Sequence, residues 1–200
     1  MAATVLLLAR PATGASAGAG AREGWIASVA VGPGLTAFTP RGATSAAVPG
    51  QQARLGLAAE LRAGRGMGDH LALFVTQKLS AFGGGGLQAG GTVVDALGSV
   101  GAAWYFLPSA PGSYVTAGAG IATWSPGSSG SSGPAGEEGG GGGSLSGLGW
   151  FAGGGYEFSR RWSLEGTASF ASPSSSGEEG TPVMGTDSAS FRLLLHRTFR

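Results

Sequence analysis

The side chains able to do chemistry are few. Cysteine is absent and histidine occurs only as His70 and His196. Disulfides and thiol nucleophiles are therefore excluded, and little remains from which to build a zinc site. His196 is the one candidate general base. It lies in an alternating run in which Phe191, Leu193, Leu195 and Phe199 oppose Ser190, Arg192, His196 and Thr198. A histidine base must reach the hydroxyl that it activates. The residue after His196 is Arg197, and the nearest serine on the same run is Ser190. A buried, satisfied histidine is the better expectation, and His70, in a turn, is expected to be solvated. The stretch Gly147-Leu148-Gly149-Trp150-Phe151-Ala152 has the form of a dinucleotide fingerprint. That motif works only where a helix follows to hold the pyrophosphate, and here it lies inside an alternating strand.

What is left is ionic. Arg54, Arg62, Lys78 and Arg192 face Glu60, Asp95, Glu157 and Glu165 on the polar sides of their segments, four of each sign, with His196 among them. In the second segment Leu55, Leu57, Ala59 and Leu61 oppose Arg54, Glu60 and Arg62. In the seventh Trp162, Leu164, Ala168 and Phe170 oppose Ser163, Glu165, Thr167 and Ser169. A period of two puts one side in apolar and the other in polar surroundings.

Eight such segments are expected, at 25–38, 52–63, 70–82, 93–107, 113–124, 145–159, 162–171 and 186–199. Glycine is too frequent within them for stable helices. The composition agrees only in part. With 41 glycines and 10 prolines in 200 residues the chain borders on low complexity. Yet 42% of it is hydrophobic and the net charge is +1, the opposite of a solvated disordered chain. Charged residues make up 12%, against about 25% in ordinary soluble domains. The balanced charge gives no electrostatic case for nucleic acid, and no cofactor or metal is expected.

The connecting segments alternate between long and short: 39–51, 64–69, 83–92, 108–112, 125–144, Arg160-Arg161 and 172–185. A transmembrane β-barrel has short turns on one side and longer loops on the other. An even strand number returns both termini to the short-turn side. No run approaches the roughly 18–20 apolar residues of a spanning helix, and a closed barrel is the other structure that satisfies every backbone group in lipid. Residues 1–21 are expected to be a signal-like or disordered segment. The apolar run Ala2–Ala9 is ended by Arg10, and small residues follow at Ala15-Ser16-Ala17 and Ala19-Gly20-Ala21. Residues 22–200 form the barrel. The glycine-rich stretch 125–144 and the stretch 172–185, with Glu137, Glu138, Glu178 and Glu179, read as flexible external loops.

Aromatics gather at strand ends. Trp25, Trp104, Phe106, Tyr114, Tyr156, Phe158, Trp162 and Phe199 lie beside the termini or short turns, and Phe38, Phe82, Trp124 and Phe170 beside the long loops. Two girdles at headgroup level are expected. Trp124 is out of phase with Val115, Ala117, Ala119 and Ile121 unless a bulge resets the register. Gln77 falls on the lipid side, and Phe74 falls inside.

The run Gly153-Gly154-Gly155-Tyr156-Glu157-Phe158-Ser159-Arg160-Arg161-Trp162-Ser163-Leu164-Glu165 resembles the penultimate hairpin of small outer-membrane barrels of the opacity-protein and OmpA-transmembrane-domain type. Ala103-Trp104-Tyr105-Phe106-Leu107-Pro108, with Tyr114 to Gly120 after it, resembles the same family. The resemblance implies an eight-stranded up-and-down barrel in the bacterial outer membrane, with periplasmic termini and long loops outside. It implies a non-enzymatic structural or surface-interaction role, at most a narrow pore. The implied partners are outer-membrane lipid, the barrel-assembly machinery during biogenesis and an unidentified extracellular ligand, and the barrel is expected to be monomeric. Family members usually end on an aromatic residue, whereas here Arg200 follows Phe199. The alternative is a lipid A deacylase-like enzyme using His196.

Overall fold

The computed structural model describes residues 22–41, 52–83, 92–126, 144–175 and 185–200. The signal-like segment 1–21 and most of the long connections lie outside the described residues. Eight strands follow one another: β1 (Gly24–Arg41), β2 (Gln52–Gly66), β3 (Leu71–Gly83), β4 (Thr92–Tyr105), β5 (Gly112–Pro126), β6 (Leu145–Ser159), β7 (Trp162–Ala171) and β8 (Gly185–Phe199). Each is hydrogen-bonded to its sequence neighbours, and β1 pairs antiparallel with β8, so the sheet closes into a barrel. Closure leaves no edge strand with unpaired backbone groups.

Ala27 opposes Phe199, so the start of β1 and the end of β8 lie at one end of the barrel. The short turns, at 67–70, 106–111 and Arg160-Arg161, share that end. We call it the turn end. The connections 42–51, 84–91, 127–144 and 172–184 join strands at the other, loop end.

One boundary differs from the sequence expectation in an informative way. Gly64 and Gly66 read as turn residues but belong to β2. Neighbouring backbone approaches both so closely that a side chain would not fit. A Cβ on Gly64 would strike the Leu73 carbonyl, and one on Gly66 the Arg22 carbonyl. The turn begins beyond them, where Gly68 takes φ +85°, a left-handed conformation that suits glycine.

Polarity is inverted relative to a water-soluble fold. On β2, Leu55 and Leu57 are 75% and 68% exposed, whereas Glu60 is 1% exposed. Val31, Val75, Val100, Ile121, Leu148 and Phe191 are likewise exposed on the outer wall, and Lys78, Glu165 and Arg192 are buried within. Burying hydrocarbon is the main drive for folding in water, so such a wall suits a hydrocarbon surrounding and not an aqueous one. Gln77 is exposed on the wall and Phe74 is buried inside. Trp124 points inward, in phase with Tyr114, Thr116 and Ala122. Pairing of β5 with β4 and β6 runs without a register shift, so no bulge turns Trp124 outward.

Candidate functional site: the ion-paired lumen

The inward side chains stack in layers along the barrel axis. In the middle layer β2 supplies Glu60 and Arg62, β3 supplies Thr76 and Lys78, β7 supplies Glu165, and β8 supplies His196. Glu60 lies opposite Lys78 in the β2–β3 register, which brings their side chains together. Lys78 Nζ donates to Glu60 Oε2 at 2.6 Å, and Thr76 Oγ1 donates to Glu60 Oε1 at 2.7 Å. Arg62 Nη2 bridges the two carboxylates, 2.7 Å from Glu60 Oε1 and 2.9 Å from Glu165 Oε1. Tyr114 Oη donates to Glu165 Oε2 at 2.8 Å. Two acids and two bases make the layer neutral if His196 is neutral. Neutrality and shared hydrogen bonds are what isolated charges would lack at such a place.

Phe74 and Phe151 hold the cations from the side. The Arg62 guanidinium carbon lies 4.3 Å from the Phe74 ring centroid, and Lys78 Nζ lies 4.4 Å from that of Phe151. Glycines make room for these rings. A Cβ on Gly118 would come within 2.5 Å of Phe151 Cε1, and one on Gly101 within 2.8 Å of Phe74 Cε2.

Nearer the loop end, Arg192 is clamped. It donates to Ser80 Oγ at 2.8 Å, to Ser169 Oγ at 2.6 Å and to Asp95 Oδ2 at 3.3 Å. Ser190 donates to the same Asp95 oxygen at 2.9 Å and lies 2.8 Å from Thr36 Oγ1. At the turn end Glu157 pairs with Arg22 and, at 2.9 Å, with Arg200. The Arg22 guanidinium also lies 3.8 Å above the Tyr105 ring. Arg54 is half-buried on the inner face of β2.

Glu60, Arg62, Lys78, Glu165 and His196 form one cluster, Asp95 and Arg192 a second and Glu157 belongs to a third, with Arg54 on the same inner face. Arg22, Arg200 and Tyr114 belong to these clusters as well. Tyr114 shares the phase of Thr116 and was legible on that ground. Arg22 precedes the first strand, where no alternation exists to reveal its direction.

The two aromatic rings of the sequence reading need correction. Trp25, Trp104, Phe106, Tyr156, Phe158, Trp162, Phe170 and Phe199 are exposed on the outside. Phe38, Phe82, Trp124 and Tyr114 face the lumen and are buried. Trp124 packs against Phe38 at 5.1 Å and Phe82 at 5.7 Å between ring centroids, with Val93 and Leu145 beside them. These three rings close the loop end of the lumen. The outer wall near the loop end carries Phe170 stacked on Trp150 at 4.6 Å.

His196 Nε2 lies 3.9 Å from both Glu60 Oε2 and Glu165 Oε2 and makes no hydrogen bond among the described residues. Ligand atoms of these three side chains lie within 4.8 Å of one another, a spacing that a divalent cation could use. The Lys78 ammonium already fills that role between the two carboxylates, so the residues do not fit a resident metal. Ser163 is the cross-strand partner of His196, which a search along β8 alone does not find. Ser163 Oγ accepts a 3.4 Å bond from Tyr114 instead of meeting the imidazole. His196 and Ser163 are both buried inside, away from the outer wall where acyl chains would lie. Replacing His196 with alanine is accordingly expected to leave lipid A acylation unchanged, read by mass spectrometry of lipid A from cells with either form.

A cavity of about 30 Å³ lies among Arg62, Phe74, Tyr105, Tyr114, Ser163 and His196. That is room for about one water.

A closed barrel with an apolar outer wall and an ion-paired interior is the fold of a small outer-membrane β-barrel protein. One solved structure supports the fold, and two others are similar. The attachment invasion locus protein Ail of Yersinia pestis, in complex with the heparin analogue sucrose octasulfate, superposes with a TM-score of 0.50 at 11% identity, covering 88% of this chain and 99% of Ail. Neisserial surface protein A gives 0.48 at 14% identity over 86% and 97% of the two chains. OprG of Pseudomonas aeruginosa gives 0.46 at 10% over 90% and 98%. No family model and no curated protein matches the sequence.

Proposed function

We propose that the chain is a non-enzymatic, monomeric barrel of the bacterial outer membrane, with its turn end in the periplasm and its loop end outside. One observation carries the reading: an exposed wall of Leu, Val, Ile and Phe encloses a lumen of hydrogen-bonded ion pairs. In water this arrangement would expose the wrong face, and in a bilayer it satisfies both faces. The lumen charges hold each other and close the barrel, so its work is structural or lies at the outer surface. The barrel-assembly machinery would receive it during biogenesis, and residues 1–21 would serve as its export signal.

Ail's ligand does not transfer readily. Sucrose octasulfate is a polyanion, while the long connections here carry Glu137, Glu138, Glu178 and Glu179. An outer ligand of this chain would have to tolerate those carboxylates.

A second reading, a narrow ion path, is favoured by the sharing of Glu60 and Glu165 between Arg62 and Lys78. Exchange of partners would move a cation without leaving either acid bare.

Protein recovered from outer membranes is expected to resist carbonate and urea extraction, and to migrate differently on gels before and after boiling. Release by carbonate, with one unchanged band, would overturn the membrane reading.

A further inference from the structure

The turn end carries a cationic patch beside the apolar wall. Arg160 and Arg161 form the β6–β7 turn and are exposed, and Arg197 projects outward from β8. Thr198 N donates to the Arg161 carbonyl at 2.8 Å, which ties the turn to the end of β8. Arg197 opposes Trp162 in the register. Its guanidinium carbon sits 5.5 Å from the Trp162 ring centroid and 5.6 Å from that of Phe199. Both rings are exposed on the wall. None of the three arginines forms an ion pair among the described residues. The nearby acid on β6, Glu157, points into the lumen and is held by Arg22 and Arg200. The exposed acids of this end, Glu23 and Asp69, belong to other segments. At the loop end the charges are different. Arg41 there is paired with Asp187 at 3.1 Å, and the connections add four glutamates, Glu137, Glu138, Glu178 and Glu179.

We propose that Arg160, Arg161 and Arg197, with Trp162 and Phe199, bind the phosphate headgroups of anionic glycerophospholipids in the leaflet at the turn end. This rests on the membrane reading above. The partner follows from chemistry. Guanidinium groups pair with phosphate oxygens through two parallel hydrogen bonds. Rings flanking Arg197 fix it at the depth where amphipathic groups sit, with acyl chains against the wall below. Among the described residues at the loop end, Arg41 is already paired with Asp187.

The test uses the full chain refolded into vesicles containing equal phosphatidylglycerol and phosphatidylcholine, with retained lipids counted by native mass spectrometry. The native protein is expected to retain roughly fivefold more phosphatidylglycerol, about the factor that one arginine near a headgroup confers. The preference is expected to fall as salt rises. Arg160→Gln, Arg161→Gln and Arg197→Gln combined are expected to abolish it while the unheated gel shift persists. A persistent gel shift with no preference in the native chain, or with the same preference in the triple variant, would overturn the lipid site alone. Lipid A displacing phosphatidylglycerol from the patch would overturn the assignment to glycerophospholipid. A chain that inserts into neither lipid would overturn the membrane reading and the lipid site with it.

Discussion

Glu60→Gln is expected to cost the folded barrel about 3–5 kcal/mol, read as a lowered urea midpoint for unfolding from lipid vesicles. Breaking a buried pair by removing one partner leaves the other charge desolvated and uncompensated, and that range follows. Glu60 takes hydrogen bonds from Lys78, Arg62 and Thr76. A neutral amide would leave the middle layer with Arg62 and Lys78 against Glu165 alone. The decisive companion is the double variant Glu60→Gln with Lys78→Met. It restores neutrality, because Arg62 keeps Glu165 at 2.9 Å, and replacing a whole buried pair is often close to neutral. The double variant is therefore expected to regain more than half of the loss. A single variant costing under about 1 kcal/mol, or a double no better than the single, would show that the layer's charge balance does not hold the barrel together. Asp95→Asn is expected to cost less, because Arg192 keeps its bonds to Ser80 and Ser169.

The wall and the polar faces were legible because strand geometry is so regular. A pleat turns alternate residues to opposite sides, so Leu55 and Leu57 declare Glu60 and Arg62 to be on the other face without coordinates. Strand number followed from eight segments bounded by turn-rich stretches, and the closed up-and-down order from the alternation of short and long connections. Which acid meets which base was not legible. That depends on the stagger between strands, which sets Glu60 against Lys78 and Thr167 against Arg192, and no single segment encodes it. Aromatic direction failed for a different reason. Phe38, Phe82 and Trp124 lie at strand ends, where a girdle residue and a lumen plug have the same position in sequence. Phase alone separates them, and Trp124 shares its phase with Thr116. Its apparent conflict with Val115 and Ile121 was the signal, and the inward orientation resolves it.

That orientation sets the remaining prediction, a contrast between two tryptophans. Trp124→Ala is expected to cost about 3 kcal/mol, the low end for deleting a buried ring. The ring is 7% exposed and wedged between Phe38 and Phe82, and its removal opens a cavity between them. Trp150→Ala is expected to cost much less, under about 1 kcal/mol. Trp150 is 52% exposed on the outer wall against Phe170, and lipid tails, as apolar as the ring they would replace, fill the space that it leaves. Lipids with brominated acyl chains give a second readout on the same two variants. Removing Trp150 is expected to reduce the quenchable tryptophan emission, whereas removing Trp124 is expected to leave the amount of quenchable emission nearly unchanged. Equal costs and equal losses of quenchable emission would place Trp124 on the lipid side and leave the loop end of the lumen without its aromatic seal.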